Sequence, residues 1–406
     1  MRKIATLAWK NIWRNKVRSG VILSAIAIGL FAGTFTIAFM NGWILETVND
    51  DINRQYSHIQ IHDPDFLSNY DINAFFNRDE VEQNIGKETT PMQVAYRLYV
   101  TGMLASPYNA VGVNAKGVWE EEEKQVTTLW KQIPDTMGAF LPDNMRNGVV
   151  ISDKIAEKLK VKLKSKIVFT FQDIHGDMQS IAFRVCGIYK MPNPMPDIFV
   201  RYSDIAGYTG LPEGAVHEVA IKVADIETCK AVYPQLKSRF PNMDVRDWSE
   251  LNPAMSLYFG YTDFMGVIIL SIFLFALSFG IINTMLMAVL ERTRELGMLG
   301  AIGMSKRKIF SMIMLETIFL TFVGSIVGII LGTIVALPLL KNGIDLSFFI
   351  NDYFEDYGFS AIVYPVLDFK MMLQIIGLVL LAGILSAIYP ARKALKLKPL
   401  EALRES

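Results

Sequence analysis

Side chains that could do chemistry are sparse in this 406-residue sequence. His58 and His62 in "SHIQIH" have the spacing of a two-histidine metal site, but strand alternation groups them with Gln60 on one face. We interpret that face as a solvated polar strand surface. The acidic run from Glu120 to Glu123 is interpreted as a solvated helix end or loop rather than a cation site. The sequence therefore predicts no metal site.

Motifs of common enzyme classes are also missing. The sequence has no G-x-x-x-x-G-K-[ST] loop to hold nucleotide phosphates, so the chain cannot hydrolyse ATP by that route. It has neither the G-x-S-x-G turn of serine hydrolases nor the H-E-x-x-H helix of zinc proteases. We expect a chain with no catalytic residues and no cofactor of its own.

The composition indicates a membrane protein. Apolar residues make up 51% of the chain, and this apolar content is concentrated in segments of roughly 20 or more residues, which is the length that crosses a bilayer. Four such segments are predicted to span the membrane: 20–45, 262–290, 309–340 and 371–390.

The distribution of basic residues predicts the orientation of these spans, because short flanks rich in Lys and Arg stay in the cytoplasm. Three regions have this character: 1–19, 291–308 and 391–406. Trp9 and Trp13 lie one helical turn apart in the first of them, which we predict to be an amphipathic elbow helix in the cytoplasmic interface. The long segment 46–261 and the loop 341–370 then face outward. The first span is interpreted as a signal anchor, since no small-residue cleavage site follows it.

The outward segment 46–261 has the pattern of a mixed α/β domain, and the sequence leaves open whether a second lobe is formed by about 69–143. Strand alternation appears in "SHIQIH", "IVFTFQ" and "SIAFRVCGIY", and helical spacing in "SDKIAEKLKVKL". "FQDIHGDMQS" predicts a β-hairpin, and proline-rich "MPNPMPD" an exposed loop. Cys186 and Cys229 are either a disulfide or two buried thiols.

Within the predicted spans, small residues recur at four-residue spacing, which permits close helix contact. The glycines with this spacing are Gly29 and Gly33 in the first span and Gly324, Gly328 and Gly332 in the third. The alternative is that glycine is simply common in membrane helices. Glu316 lies near the inner end of the third span, where an unpaired charge is costly. We expect it to snorkel or to pair with a basic residue; a proton relay has no second intramembrane acid to support it.

The region 291–308, "ERTRELGMLGAIGMSKRK", connects two of the most apolar segments. Good helix formers run from Glu291 to Ala301, Arg292 and Glu295 have ion-pair spacing, and Gly303 with Ser305 predicts a helix break and a new start. The apolar side chains expected on its exposed surface are Leu296, Met298, Leu299 and Ile302. We expect this helix to dock into a groove on a soluble partner.

These residues resemble the FtsX-like permeases of ABC transporters, which include the LolC/LolE and MacB groups. The resemblance rests on "ERTRELGMLGAIGMSKRKI", "AWKNIWRNKVRSGVILSAIAIGL", "GVVISDKIAEKLKVKLKSKIVFTF" and "YPARKALKLKPLEALRES" and extends over nearly the whole chain. It implies an α-helical membrane domain of four transmembrane helices with an inserted α/β extracytoplasmic domain of the MacB periplasmic core type. It also implies that 291–308 is the coupling helix. The residues it assigns to the ATPase-coupling interface are Glu291, Arg294, Glu295, Leu296, Gly297, Met298, Leu299, Gly300, Ala301 and Gly303.

The resemblance further implies a multi-pass protein of the cytoplasmic membrane whose ATPase is a separate chain that binds ATP and Mg. A second permease would complete a homodimer or a heterodimer. The expected function is ATP-driven release or export of a hydrophobic cargo, a lipoprotein or lipid, with or without a periplasmic carrier. The alternatives are MacB-like efflux of drugs, peptides or toxins, and FtsX-like signalling to a cell-wall hydrolase. The hairpin around His175 lacks the long hook with which LolC-type subunits recruit a carrier. No nucleic-acid partner is expected.

Overall fold

A computed structural model of the chain describes residues 2–14, 16–85, 90–191, 194–346, 362–366 and 369–396. The predicted "MPNPMPD" loop, the outward loop 341–370 and the tail 391–406 therefore lie in part outside the described residues. The chain divides into a membrane unit (1–45, 260–346 and 362–406) and an outward unit (46–259 and 347–361).

The helices and strands are numbered along the chain. The α-helices are α1 (Arg2–Arg14), α2 (Lys16–Asp51), α3 (Phe66–Asn69), α4 (Arg78–Ile85), α5 (Glu120–Val126), α6 (Asp153–Leu159), α7 (Tyr202–Ile205), α8 (Ile226–Arg239), α9 (Trp248–Leu251), α10 (Pro253–Glu291), α11 (Thr293–Ala301), α12 (Lys306–Asn342) and α13 (Phe369–Lys396). A π-helix (Ile52–Tyr56) follows α2, and three short 3₁₀-helices are Leu129–Gln132, Asp135–Met137 and Ala206–Tyr208. The strands are β1 (Ile59–His62), β2 (Phe76–Asn77), β3 (Gln93–Ala105), β4 (Ala110–Val118), β5 (Gly148–Ser152), β6 (Lys166–Gln172), β7 (Met178–Tyr189), β8 (Asp197–Arg201), β9 (Ala215–Val216), β10 (Glu218–Lys222), β11 (Asp244–Asp247), β12 (Ile344–Asp345) and β13 (Ile362–Val363).

Four helices of the described chain are long and apolar enough to cross a membrane. These spans are Ser19–Tyr56, Pro253–Glu291, Lys306–Asn342 and Met372–Leu395. Each helix also continues past the apolar run from which its span was predicted, because polar residues extend a helix as readily as apolar ones once its backbone ladder is started.

At one end of the membrane unit, apolar side chains from six helices form a common cluster. Its buried members are Ala8, Ile12, Ile22, Ile26, Ile281, Met285, Val289, Leu296, Ile309, Met312, Ile313, Leu320, Ala391 and Ala394. Helices α12 and α13 approach so closely that a Cβ on Gly383 would lie 2.5 Å from Oγ1 of Thr321. Glycine at this position therefore sets the distance between the two helices.

The outward unit is built on a nine-stranded sheet with the order β11-β1-β10-β3-β4-β8-β5-β7-β6. Strand β3 pairs with β6 as well as with β4 and β10, so the six strands from β3 to β6 close into a ring. The inward side chains of β6 are buried and alternate with outward ones, as the strand pattern predicts. They include Phe169 and Phe171, which stack with centroids 5.2 Å apart inside this barrel.

Strand β3 is long enough to serve both parts of the sheet. Its first residues, Gln93 to Arg97, pair with β10, and its last, Gly102 to Ala105, pair with β6. Because β3 and β4 lie at the centre of the sheet, the segment 69–143 does not form a lobe of its own. The barrel and the four-stranded part β11-β1-β10-β3 instead share this strand.

The hairpin predicted from "FQDIHGDMQS" is confirmed as β6 and β7, with Gln172 opposite Met178. In its turn, Oδ1 of Asp173 accepts hydrogen bonds from the backbone N–H groups of His175 and Asp177, both at 2.9 Å, and Gly176 has a φ of 85°. An Asp side chain and a left-handed glycine are the usual means of closing a tight turn.

The prediction that His58, Gln60 and His62 form a solvated strand face is wrong. All three are buried: β1 pairs with β10 on one side and β11 on the other, and Phe66 of α3 lies against His62. The His62 ring stacks on Phe66 with centroids 5.3 Å apart, and its Nε2 lies 3.0 Å from Oε1 of Gln60. A polar strand face that is central in a sheet must satisfy its hydrogen bonds internally.

Cys186 and Cys229 are two buried free thiols rather than a disulfide. Cys186 packs in an apolar cluster with Phe140 and Leu129, whereas Sγ of Cys229 lies 3.5 Å from the backbone oxygen of His58. Burial raises the pKa of Cys186 to about 11 and that of Cys229 to about 12. Both thiols therefore stay protonated and unreactive at neutral pH.

Candidate functional site

The segment between α10 and α12 forms a short helix with a defined start and end. Helix α10 ends at Glu291, and Arg292 leaves the helical conformation before α11 begins. At the other end, Gly303 has a φ of 99°, its N–H donates to the oxygen of Gly300, and the N–H of Met304 donates to Leu299. This pair of bonds is a Schellman motif, which requires a residue that tolerates positive φ. Helix α12 then starts after Ser305, as the sequence predicts.

The two faces of α11 differ in what they contact. Leu296 is only 6% exposed and joins the apolar cluster of the membrane unit, and Leu299 packs against the same cluster. The expectation that these two leucines project outward is wrong, because helical periodicity places them on the face turned toward α1 and α12. The exposed residues of α11 and its immediate flanks include Glu291, Arg294, Met298, Ala301 and Ile302. Met298 is 45% exposed and Ile302 is 84% exposed, so they are the apolar side chains available to a partner.

Ion pairs hold the inner face of α11 in place. Nε of Arg292 lies 3.1 Å from Oε2 of Glu295, which confirms the pair predicted from the sequence. Both carboxylate oxygens of Glu295 also accept hydrogen bonds from Nη2 of Arg14 on α1, each at 2.5 Å. The hydrogen bonds from Arg14 and Arg292 lower the pKa of Glu295, so this carboxyl is charged at neutral pH.

Glu316 is one of the few charged side chains in the third span, and it is paired. Its Oε1 accepts from Nη1 of Arg292 at 3.1 Å and from Nδ2 of Asn11 at 2.7 Å. Burial opposes the charge of Arg292, but Glu316 and Glu295 more than offset this and raise its pKa. Of the two predicted states of Glu316, pairing with a basic residue is therefore the one observed. Reasoning from the sequence alone missed Asn11 and Arg14, since no local pattern links α1 to this segment.

Beside these charges lies a cavity of about 550 Å³. Its lining comes from α1, the start of α2 and the α10–α11 junction, and consists of Asn11, Arg14, Lys16, Val17, Glu291, Arg292 and Glu295. Three cations and two carboxylates face it, so water or a charged protein surface suits it better than an apolar ligand.

The glycines predicted to pack helices fall into two groups. A Cβ on Gly324 would lie 2.7 Å from Cγ2 of Ile26, and one on Gly328 would lie 2.9 Å from the oxygen of Ala27, so both face α2 at close range. For Gly332 the nearest atoms are 3.9 Å away, which is ordinary contact.

Gly29 and Gly33 face α10 rather than α12. Their nearest neighbours are Leu277 at 3.6 Å and Phe273 at 3.7 Å. The first span therefore uses its glycines against the second span, and the third span uses Gly324 and Gly328 against the first.

A buried ion cluster occupies the outward unit where β3, β10 and α5 meet. Arg97 is 1% exposed; its Nη2 and Nε donate to the two carboxylate oxygens of Glu123 at 2.7 and 2.9 Å, and its Nη1 donates to Glu218. Nearby, Nζ of Lys116 lies 2.6 Å from Oδ2 of Asp197. No local sequence pattern marks this cluster, because Arg97 is separated from Glu123 by 26 residues and from Glu218 by 121.

The interpretation of Glu120 to Glu123 as solvated is wrong for its last member. Glu121 is largely exposed at the start of α5, but Glu123 is fully buried against Arg97. Two residues along a helix correspond to roughly half a turn, so Glu121 and Glu123 face opposite sides, and a run of identical residues does not show which of them faces the core. Among the described residues, no group of three or more His, Cys, Asp or Glu side chains could hold a metal ion.

Two family models match this chain and together cover most of it. Residues 19–239 match the MacB-like periplasmic core domain, and residues 267–399 match the C-terminal domain of FtsX-like permeases. The LolC transmembrane protein of the lipoprotein-releasing system of Haemophilus influenzae is 28% identical over 63% of this chain and 64% of its own length. An ABC transporter permease of Methanocaldococcus jannaschii is 24% identical over 99% of this chain and 97% of its own.

Relatives with a fused ATP-binding domain match a shorter region. The macrolide export ATP-binding/permease protein MacB of Chlorobaculum tepidum is 36% identical over 31% of this chain and 16% of its own length. Among solved structures, the periplasmic region of MacB from Actinobacillus actinomycetemcomitans aligns with a TM-score of 0.35 and 12% identity, over 52% of this chain and 98% of its own.

Proposed function

Because the chain belongs to the MacB-like and FtsX-like ABC transporter permeases, we propose that it couples ATP hydrolysis in a separate subunit to mechanical work by its outward domain. Members of this family are multi-pass proteins of the inner membrane with a large extracytoplasmic domain, and this chain has the same four apolar helices and core domain. They are transporter permease components, generally without catalytic activity.

The geometry of α11 is the observation that carries the proposal. One face of this helix is anchored in the membrane unit through Leu296, while the opposite face exposes Met298 and Ile302. Two large exposed apolar side chains four residues apart in a helical segment, with charged residues beside them, form a patch of the kind that a protein partner covers. We propose that the ATPase subunit, which holds ATP and Mg, receives this face in a groove. The coupling residues would then be Glu291, Arg294, Met298, Ala301 and Ile302, with Gly297, Gly300 and Gly303 setting the helix geometry.

Substitution of the exposed face tests the docking step without disturbing the core. Met298→Glu or Ile302→Glu places a charge in the contact, where burial without a partner is costly. We expect either variant to lose co-purification of the ATPase by tenfold or more, on the order of 1.4 kcal/mol. Met178→Glu is the matched control, because Met178 is 65% exposed and lies in the outward unit. Normal ATPase recovery with both α11 variants would refute the assignment.

For the cargo, we propose a lipoprotein or lipid extracted from the outer leaflet. The alignment with LolC, whose name states lipoprotein release, covers 63% of this chain, against 31% for MacB. The turn between β6 and β7 is limited to about five residues around Gly176, so a carrier would be engaged by another part of the domain. A second permease, identical or homologous, would complete the transporter.

Deletion of the gene distinguishes the candidate functions. Lipoproteins retained in the inner membrane would support the proposal. Correct lipoprotein localisation combined with drug hypersensitivity would indicate MacB-like efflux. Co-purification of a peptidoglycan hydrolase with the outward domain, and a cell-separation defect, would indicate FtsX-like signalling.

A further inference from the structure

The charged side chains at the inner end of the membrane unit form one continuous ion-pair network across three helices. It runs from Arg14 on α1 to Glu295 on α11, then to Arg292 before α11, and on to Glu316 on α12. Asn11 closes it by donating from α1 to Glu316 at 2.7 Å. The network therefore begins and ends on α1 and passes through α11 and α12.

The side chains of this network become more buried from Arg14 toward Glu316. The Arg14 and Glu295 side chains are 56% and 41% exposed, whereas those of Arg292 and Glu316 are 13% and 7% exposed. An exposed pair contributes little to stability, and a buried charge must keep its partner. The buried pair of Arg292 and Glu316 is thus needed for folding, whereas the exposed pair of Arg14 and Glu295 can serve to position the helices.

The apolar contacts of α11 do not fix its orientation by themselves. Leu296 is the buried residue of α11 and Leu299 packs against the same cluster, so the hydrophobic effect, which is non-directional, acts on this short helix through few side chains. Hydrogen bonds that a charged guanidinium donates to a carboxylate have strict geometry. Glu295 receives such bonds from both sides, from Arg14 at 2.5 Å and from Arg292 at 3.1 Å.

We propose that Glu295 and Arg14 are positioning residues that hold α11 to the elbow helix α1, so that displacement of α11 moves α1 and the inner end of α12 as one body. This inference rests on the proposed coupling function and adds α1 to the moving part. The cavity of about 550 Å³ beside the pair is lined by both residues, so Arg14 and Glu295 are reached by water and are not locked by packing.

The first test measures the position of α11 in the full chain without any ATPase. Spin labels are attached to Lys10→Cys on α1 and Ala301→Cys on α11, both exposed positions. The native thiols Cys186 and Cys229 are buried and resist labelling. We expect one narrow distance distribution in the parent protein, and a broader one after Glu295→Gln or Arg14→Gln. Arg14→Lys, which keeps the charge, should restore the narrow distribution.

The second test uses the permease with its co-purified ATPase in lipid nanodiscs and unlabelled variants. A pair of this exposure is worth about 0.2–1 kcal/mol, so Glu295→Gln should lower permease-stimulated ATP hydrolysis by roughly 1.4- to fivefold. The thermal unfolding midpoint and ATPase recovery should not change. Glu121→Gln, an exposed carboxylate of the outward unit, is the control.

The two tests separate failure of this inference from failure of the coupling proposal. An unchanged distance distribution in both Glu295→Gln and Arg14→Gln would overturn the positioning role, as would a broadened distribution with unchanged ATPase stimulation. Absence of any ATPase in complex with the parent protein would instead overturn the coupling proposal, and the distance measurement would still test whether the ion pair fixes α11.

Discussion

Replacement of Arg97 by methionine should loosen the centre of the outward domain. Methionine fills a similar volume but leaves two carboxylates, Glu123 and Glu218, buried without their shared cation. Removing one partner of a buried ion pair typically costs about 3–5 kcal/mol. Protonation limits the part of the loss that comes from Glu218: a carboxyl of ordinary pKa 4.5 is neutralised at pH 7 for about 3.4 kcal/mol.

Hydrogen exchange of the full chain in detergent measures this loss where it occurs. At 1.4 kcal/mol per tenfold, about 3–5 kcal/mol corresponds to a roughly 100- to 4000-fold faster exchange of amides that open with the cluster. These include the N–H groups of β10, which pairs with β3 in register from Glu218 opposite Arg97. Arg184→Met, at an exposed position of β7, is the control and should change exchange by less than threefold.

The pH dependence of the Arg97→Met variant provides an independent check. Without the guanidinium, burial would raise the pKa of Glu218, whereas in the parent protein Arg97 overcomes burial and lowers it. The folded variant would then bind protons more readily than the unfolded chain, and its stability relative to the parent should rise as pH falls from 7 to 5. Two results would refute the reasoning. One is an exchange rate of the β10 amides that increases less than tenfold at pH 7 in the variant; the other is a loss of stability, relative to the parent protein, that grows on acidification.

Two further predictions concern packing and acid stability. Gly328→Leu should weaken the contact of α12 with α2 by about 1–3 kcal/mol, because its Cβ would lie 2.9 Å from a backbone oxygen. Gly332→Leu should cost less, because the nearest atoms there are 3.9 Å from the Cβ position. Comparison of the thermal unfolding midpoints of the two variants tests this, and equal effects would contradict it. Burial lowers the pKa of His58 and His217 to about 4, below the unfolded value of 6.5, so each stabilising contribution is present above pH 6.5 and is lost as pH falls toward 4, by about 3 kcal/mol per histidine. Amide protection factors in β1 and β10, which are corrected for the pH dependence of intrinsic exchange, should therefore fall as pH drops over that interval, and His58→Gln should make the fall shallower; a flat profile in the parent protein would be inconsistent with neutral buried histidines.

Much of the architecture was predictable because it depends on local patterns. Apolar length marked four spans, alternation marked β1, β6 and β7, and Asp173 with Gly176 closed the hairpin as expected. The break at Gly303 followed from the need for positive φ. In each case the determining interactions lie within a few residues along the chain.

The candidate site was predicted as a segment but not in its orientation. Helical spacing shows that Leu296 and Met298 lie on different faces, but only the packing shows that Leu296 is the buried one. The burial of Glu123 and of His62 was missed for the same reason. Whether a polar side chain faces water depends on which elements lie against it.

The sequence by itself determined the spans, their orientation, the family motifs and the position of the helix between the second and third spans, since hydrophobicity, charge and turn chemistry act over short distances. The tertiary structure decided which residues anchor that helix. Arg14 and Glu295 are separated by 281 residues, and Asn11 and Glu316 by 305. Such pairs form only after α1, α11 and α12 have packed, because no local pattern encodes a contact between elements so distant in the chain.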